Sequence, residues 1–332
     1  MKAAVIEGPG KIQLKDVPRP VPKKDEVVIK VAFCGICGTD YRIFNGEYIS
    51  PYPLIPGHEF SGIIDEKGEN VTDLEVGEKV CVDPSLYCGT CYFCRQNYEN
   101  MCENWGAIGD TTNGAFAEYV AVPAKNVYRL PENVSLEEGA LVEPLACVVY
   151  AMKRLKMEYG SRVLLFGSGP MGLLLLQALK RGGASEVVVV DIEEKKLEYA
   201  RKMGANRIFT DVKEIKNYNP KGFDVVVDAT GNLTVIETMF QFVGPKGKVL
   251  QFGCAPKDSK VSINPFDIYH KDIIYIGTMA LQYTFNQAIN FLKFGEINVR
   301  DIVTKIITLE EFVEYIKIKK PADDLKVLVK VN

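Results

Sequence analysis

The chain has 332 residues, 47% of them hydrophobic and 25% charged, with 40 basic side chains against 43 acidic ones and a formal net charge of −3. This composition belongs to a folded globular protein of about two domains and excludes a disordered one. The mild acidity and the absence of a long basic run exclude an electrostatic footprint for nucleic acid or an anionic lipid surface, so neither is expected as a partner.

The first 80 residues read as β-rich. Short β-branched segments such as Glu26–Ala32 and Ser61–Ile64 are separated by Pro and Gly punctuation. Within them stand Cys37, in the run GICGTD, and the pair His58–Glu59, in PGHEF; Glu143 follows later, in VEPL. One Cys, one His and one or two carboxylates form a mixed S/N/O ligand set of the kind that leaves a metal position open to water or substrate. Spacing alone does not bring them together: His58 reads equally well as a core or turn histidine, and Glu59 or Glu143 as a salt-bridge partner. Because His58 and Glu59 are adjacent, both can face one metal only if the backbone bends after Gly57.

Cys88, Cys91, Cys94 and Cys102 follow as C-x2-C-x2-C-x7-C. Four thiolates at this spacing can close a tetrahedron around Zn²⁺, with an iron–sulfur cluster as the alternative. Four thiolates give Zn²⁺ a formal charge of −2 and no open position, so this lobe is expected to hold shape rather than do chemistry.

From about Glu137 the texture changes. The apolar runs SRVLLF, EVVVVD, FDVVVDA, GKVLQF and DIIYIG alternate with helical patterns, the rhythm of parallel βαβ units in a doubly wound α/β sheet. The longest uncharged stretch, Val163–Leu179, contains Gly167, Ser168, Gly169, Pro170 and Gly172 and reads as strand, turn and helix start, not as a membrane span. That turn, Gly167-Ser168-Gly169-Pro170-Met171-Gly172, is G-x-G-x-x-G directly between an apolar strand and the helical run MGLLLLQALKR. Asp191 ends the next strand, about 20 residues on, where an acid meets ribose hydroxyls. Pro170 suits a first helical turn. Asp191 would repel a 2′-phosphate, so NAD is expected over NADP; Lys195 and Lys196 read as a solvated helix face. Two amphipathic segments, Phe285–Phe294 and Leu309–Lys319, and a final strand, LKVLVKV, complete the chain.

The N-terminal run MKAAVIEGPG lacks the apolar core of a signal peptide, so a cytoplasmic protein with reduced thiols is expected. The four cysteines outside both clusters (Cys34, Cys81, Cys147 and Cys254) are read as small buried apolar residues, and His270 as structural.

Taken together, GICGTD, PGHEFSG (Pro56–Gly62), VGEKV (Val76–Val80), the four-Cys lobe, GAFAEYV (Gly114–Val120), EPLA (Glu143–Ala146), GSGPMG and DATG (Asp228–Gly231) resemble the zinc-dependent medium-chain alcohol dehydrogenase family, in its sorbitol/polyol and threonine dehydrogenase branch, over nearly the whole chain. The resemblance implies a GroES-like, β-rich catalytic domain (1–144 and 280–332, with the zinc lobe at about 84–104) and an inserted Rossmann domain (145–279) that binds NAD. It implies two Zn²⁺ per chain, the catalytic one held by Cys37, His58 and Glu59, with Glu143 as fourth ligand directly or through water. Thr39 matches the hydroxyl that relays the alcohol proton, and Thr230 and Gly231 lie along the cofactor. The implied reaction takes a hydride from a secondary alcohol (a polyol, cyclitol or polyol phosphate) to NAD and yields the ketone; oxidation of an amino alcohol such as L-threonine is the alternative. A homodimer or homotetramer is expected. One position departs from the pattern: Arg42 stands where the family usually has a histidine two residues after GTD. Arginine stays protonated and cannot relay the proton, so Arg42 is read as a contact to an anionic group of substrate or cofactor. A zinc-free NADPH reductase of the same fold predicts neither the ligands nor Asp191, and a redox sensor has only the spare cysteines in its favour.

Overall fold

The computed structural model describes every residue except Lys319, Lys320 and Ala322. The chain divides into two units, Met1–Ala146 with Gln282–Asn332, and Cys147–Leu281.

The first unit is built on a seven-stranded sheet, in the order Val303–Thr308, Lys326–Lys330, Glu26–Gly35, Glu59–Lys67, Lys79–Val82, Val127–Arg129, with Tyr119–Pro123 also paired to Glu26–Gly35. Every pair is antiparallel except Val303–Thr308 with Lys326–Lys330. Glu26–Gly35 is the central strand, and Val27, Val28, Ile29 and Val31 are fully buried along it. Phe116 stacks on Phe312 with ring centroids 3.9 Å apart, joining the loop before Tyr119–Pro123 to the helix Leu309–Tyr315. That helix starts at a capping box, Thr308 with Glu311. It occupies the start of the amphipathic segment anticipated over 309–319, whose last residue lies outside the described residues.

Register positions the site. Gly35 pairs with Glu59 on one side and with Leu328 on the other, so the end of the central strand lies between the Glu59 strand and the C-terminal strand carrying Lys326. A side chain at Gly35 would collide with the Glu59 carboxylate. The chain then turns into a helix, Gly38–Asn45, within the region read as β-rich. Its N-cap is Cys37, and Asp40 completes a capping box by accepting from the Cys37 amide at 2.7 Å. Gly46, at φ 77°, ends it in the left-handed conformation that favours glycine.

The second unit is an all-parallel six-stranded sheet, ordered Arg207–Phe209, Glu186–Val190, Arg162–Phe166, Phe223–Asp228, Val243–Gln251, Ile274–Gly277. Its central strands are apolar without alternation because both faces are covered: Val163–Phe166, Val187–Val190 and Val225–Val227 are all buried. Strand order reverses beside Arg162–Phe166, which makes the switch point where doubly wound sheets bind ligands. No helix among the described residues is long and apolar enough to cross a membrane.

Candidate active site

In the first unit, Cys37, His58 and Glu59 place one ligand atom each within 4.8 Å of one another. Gly57, at φ 100°, supplies the bend that lets adjacent residues converge, and a side chain there would run into Cys34 Sγ and Phe116. Thr39 Oγ1 lies 3.8 Å from Cys37 Sγ, in the first turn of the helix that Cys37 caps. Glu143 opens the helix Val142–Leu155 and is outside the tight group, but its charge acts on Lys326. Arg42 lies on the Gly38–Asn45 helix three residues after Thr39, on the same face by helical periodicity.

Three charged residues around this group were given no role by the sequence reading: Lys326 and Asp110, which stand in no motif, and Asp40, which ends GICGTD. Lys326 is buried; its ammonium donates to Glu59 Oε2 and, at 3.2 Å, to the Ile36 carbonyl. Burial alone would lower the Lys326 pKa, but Glu59 and Cys37 outweigh it and raise it. Asp110 Oδ1 lies 3.2 Å from His58 Nδ1, and Asp40 Oδ1 lies 3.9 Å from it; all three residues are buried. With Nδ1 turned to the carboxylates, Nε2 is the nitrogen left for a metal. Burial works against a charged His58, yet Asp110 and Cys37 hold its pKa well above the ordinary value. Burial also pushes the Asp40 carboxyl up to about 7. Thiol, imidazole and carboxylate together, in a buried site where acids outnumber the single lysine, suit a dication such as Zn²⁺.

The second cluster, Cys88, Cys91, Cys94 and Cys102, also groups within 4.8 Å. Cys102 Sγ is 3.5 Å from Cys88 Sγ and 3.9 Å from Cys91 Sγ. Those separations match the roughly 3.8 Å edge of a tetrahedron with Zn–S bonds of about 2.3 Å. Backbone amides of Thr90 and Cys91 point at Cys88 Sγ, and those of Cys88 and Asn104 at Cys102 Sγ, at 3.3–3.5 Å. The amide donors hold the Cys88 thiol down, at about 5. All nine cysteines are free thiols.

In the second unit, Gly167 (φ 98°) ends the strand Arg162–Phe166, and Pro170 is the first residue of the helix Pro170–Arg181, whose N-cap is Gly169. A Cβ on Gly172 would collide with the Gly167 carbonyl, and one on Gly167 would meet the Thr230 methyl at 2.9 Å. Glycines are therefore needed for the turn itself and for helix–strand approach. Met171 follows Pro170 in the first helical turn. Asp191 accepts from the Ser168 amide (2.7 Å), the Ser168 hydroxyl (2.9 Å) and the Glu193 amide (3.0 Å), which fixes its carboxylate against the glycine turn. Across the switch point, buried Asp228 accepts from the Thr230 amide and hydroxyl (2.8 and 2.6 Å) and the Gly231 amide, which holds the DATG turn.

One expectation needs correction. Of the four spare cysteines, Cys34 and Cys81 are buried, but Cys147 is only partly so and Cys254 is exposed. Cys254 lies in the loop after Val243–Gln251, where its backbone lies against Gly231. His270 stacks on Phe266 at 5.3 Å, one turn earlier in the helix Pro265–Lys271.

Comparison with known proteins agrees with this geometry. Residues 23–132 match the alcohol dehydrogenase GroES-like domain, and residues 170–293 the zinc-binding dehydrogenase domain. The chain is 36% identical to D-arabinitol dehydrogenase 1 of Uromyces fabae, over 100% of this chain and 97% of that one. It is 33% identical to D-arabitol-phosphate dehydrogenase of Enterococcus avium, over 100% and 98%. A zinc-binding dehydrogenase of Sinorhizobium meliloti 1021, solved bound to NADP, superposes with a TM-score of 0.97 at 32% identity, covering 99% and 98% of the two chains. The chain belongs to the zinc-dependent medium-chain alcohol dehydrogenase family, enzymes that pass a hydride from an alcohol to a nicotinamide cofactor.

Proposed function

We propose that this enzyme oxidises a secondary alcohol of a polyol or polyol phosphate to the ketone, with a catalytic zinc at Cys37, His58 and Glu59, Glu143 as a further ligand through water, and NAD at the Gly167–Gly172 turn. The observation that carries the reading is the convergence of thiol, imidazole and carboxylate beside the Thr39 hydroxyl. Bound there, zinc supplies the Lewis acidity that makes an alcohol proton labile, and the nicotinamide takes up the two electrons as hydride.

The remaining roles fall to the chain. Thr39 accepts the alcohol proton's hydrogen bond and passes the proton toward solvent. Arg42, lacking a basic lone pair, sends that path through water. Cys37, Glu59 and Lys326 set the charge: two anionic ligands, one of them shared with a buried ammonium, keep the site from becoming too electron-rich to polarise substrate. Gly167, Gly169 and Gly172 admit the pyrophosphate to the helix N-terminus. Met171, Thr230 and Gly231 line the cofactor, and Asp191 meets its ribose hydroxyls.

The arabinitol and arabitol-phosphate enzymes among the relatives favour polyols over threonine. Arg42 offers a phosphate or carboxylate a planar partner, which a neutral polyol does not use. The edge strand Ile274–Gly277, with Ile274 and Tyr275 exposed, supports a homo-oligomer. Five of the nine cysteines fall in the two candidate metal groups, which need their thiols reduced, and that supports a reducing cytoplasm.

The test is NADH formation with arabinitol, sorbitol, xylitol, a pentitol phosphate and L-threonine. Turnover of a polyol or its phosphate is expected; turnover of threonine alone overturns the substrate reading. Arg42→Ala should raise KM for the phosphate at least about tenfold, roughly 1.4 kcal/mol, and leave the neutral polyol nearly unchanged. Equal losses on both substrates would assign Arg42 to the cofactor.

A further inference from the structure

His58 presents Nδ1 to two buried carboxylates, and the chain folds a separate loop against it to supply the nearer one. Asp110 follows the two-residue strand Gly106–Ala107, which pairs with Ser85–Leu86. The loop after it is tied to the segment that carries His58. Gly114 donates to the Ile55 carbonyl (2.7 Å), Ala115 to the Gly57 carbonyl (2.9 Å) and Phe116 to the Pro56 carbonyl (3.0 Å), while the Ile55 amide donates to Asn113 Oδ1 (3.0 Å). Gly109 and Gly114 both pack directly on the Gly57 backbone, where any Cβ would collide. The loop is closed on itself as well: the Asp110 and Thr111 amides donate to the Ala107 carbonyl at 3.1 and 2.9 Å. Asp110 is thus fixed to the residue before His58 by backbone contacts on both sides.

The competing carboxylate, Asp40, has another task. Its Oδ2 holds the Cys37 amide at the helix cap, and its Oδ1 is 0.7 Å farther from Nδ1 than Asp110 Oδ1 is (3.9 against 3.2 Å). Nδ1 and both Oδ1 atoms are buried, and none makes a well-aligned hydrogen bond. A buried donor and acceptor left in that state are costly, and a small rotation of the imidazole joins Nδ1 to Asp110.

We propose that Asp110 is the positioning residue of the catalytic metal site: its carboxylate accepts the Nδ1 proton of His58, selects the tautomer with Nε2 free for zinc and fixes the ring plane. The proposal rests on the reading of Cys37, His58 and Glu59 as that site. Partners of this kind typically change metal affinity by about 10–100-fold when removed.

The experiment is zinc retention by the holoenzyme against chelators of graded strength, with zinc per chain measured after each and the melting curve recorded. Wild type, Asp110→Ala, Asp110→Asn and Asp40→Asn are compared. In Asp110→Ala one zinc should be lost at about 10–100-fold lower chelator strength, the other retained with the melting curve of the four-Cys lobe unchanged. Asp110→Asn, which keeps an acceptor and its shape but not its charge, should fall between that variant and wild type, and it serves as the test if the alanine variant does not fold. Wild-type retention in both Asp110 variants, loss of both zincs together, or weakening confined to Asp40→Asn each overturns the proposal. A wild-type holoenzyme that holds one zinc would instead overturn the metal-site reading beneath it.

Discussion

Glu59 and Lys326 are distant in sequence and joined only by strand register, so the sequence shows the acid and hides its partner. The same holds for Asp110, which lies in a loop with no motif of its own, whereas the four-Cys lobe can be read from its spacing, and Cys37 and His58 stand in runs that point to ligands only through the family resemblance. Both Lys326 and Glu59 are almost fully buried, and removing one member of such a pair strands a charge. Lys326→Met should therefore destabilise the metal-free protein by about 3–5 kcal/mol in urea unfolding, with added zinc recovering part of the loss because a dication then faces Glu59. An equal loss with and without zinc would separate Glu59 from the metal. Asp191 is legible from its place at the end of a strand, but its bonds to Ser168 are not. NAD should exceed NADP in kcat/KM by at least about tenfold, with Asp191→Ala narrowing the gap. Equal use of both cofactors would contradict that role.

Among the elements, the parallel strands could be read directly because burial on both faces leaves uninterrupted apolar runs, as in Val187–Val190. Arg207–Phe209, three residues long and only partly buried, has no such signal. The helix Gly38–Asn45 was hidden for a different reason: its cap is a cysteine, an unusual N-cap, and the bond its amide donates to Asp40 emerges only in three dimensions. The short helix Leu136–Gly139 shows how a cap can be probed. Ser135 and Glu138 form a capping box, and Arg300 donates to both Glu138 oxygens at 2.9 and 3.0 Å. Burial would raise the Glu138 pKa, but Arg300 and Ser135 outweigh it and lower it. A depressed carboxylate adds stability above its unfolded pKa and loses it as pH falls through the folded one. Glu138→Gln should cost about 1 kcal/mol near neutrality, and the gap to wild type should close below about pH 4. A gap that persists in acid would show that charge plays no part.

At the scale of the whole molecule, the composition change along the chain was legible because short strands broken by Pro and Gly give way to apolar runs that alternate with helices, the pattern a doubly covered parallel sheet demands. Burial of the individual spare cysteines was not, since reading them all as buried ignored that Cys81 sits in a strand and Cys254 in a loop. The two cysteine-containing groups lie in one unit, and we propose opposite duties for them: four thiolates would hold a lobe, and the mixed set would meet substrate. Structural zinc binding is coupled to folding, so Cys88→Ser should lower the melting temperature, while Cys37→Ser should leave it largely intact. Zinc content per chain, measured together with NAD-dependent alcohol turnover in wild type and Cys37→Ser, tests this most directly. The account predicts two zincs and turnover in wild type, and one zinc, a folded protein with a cooperative melting curve and no turnover in Cys37→Ser. One zinc in the wild type, or a Cys37→Ser protein that still oxidises alcohol, would contradict it.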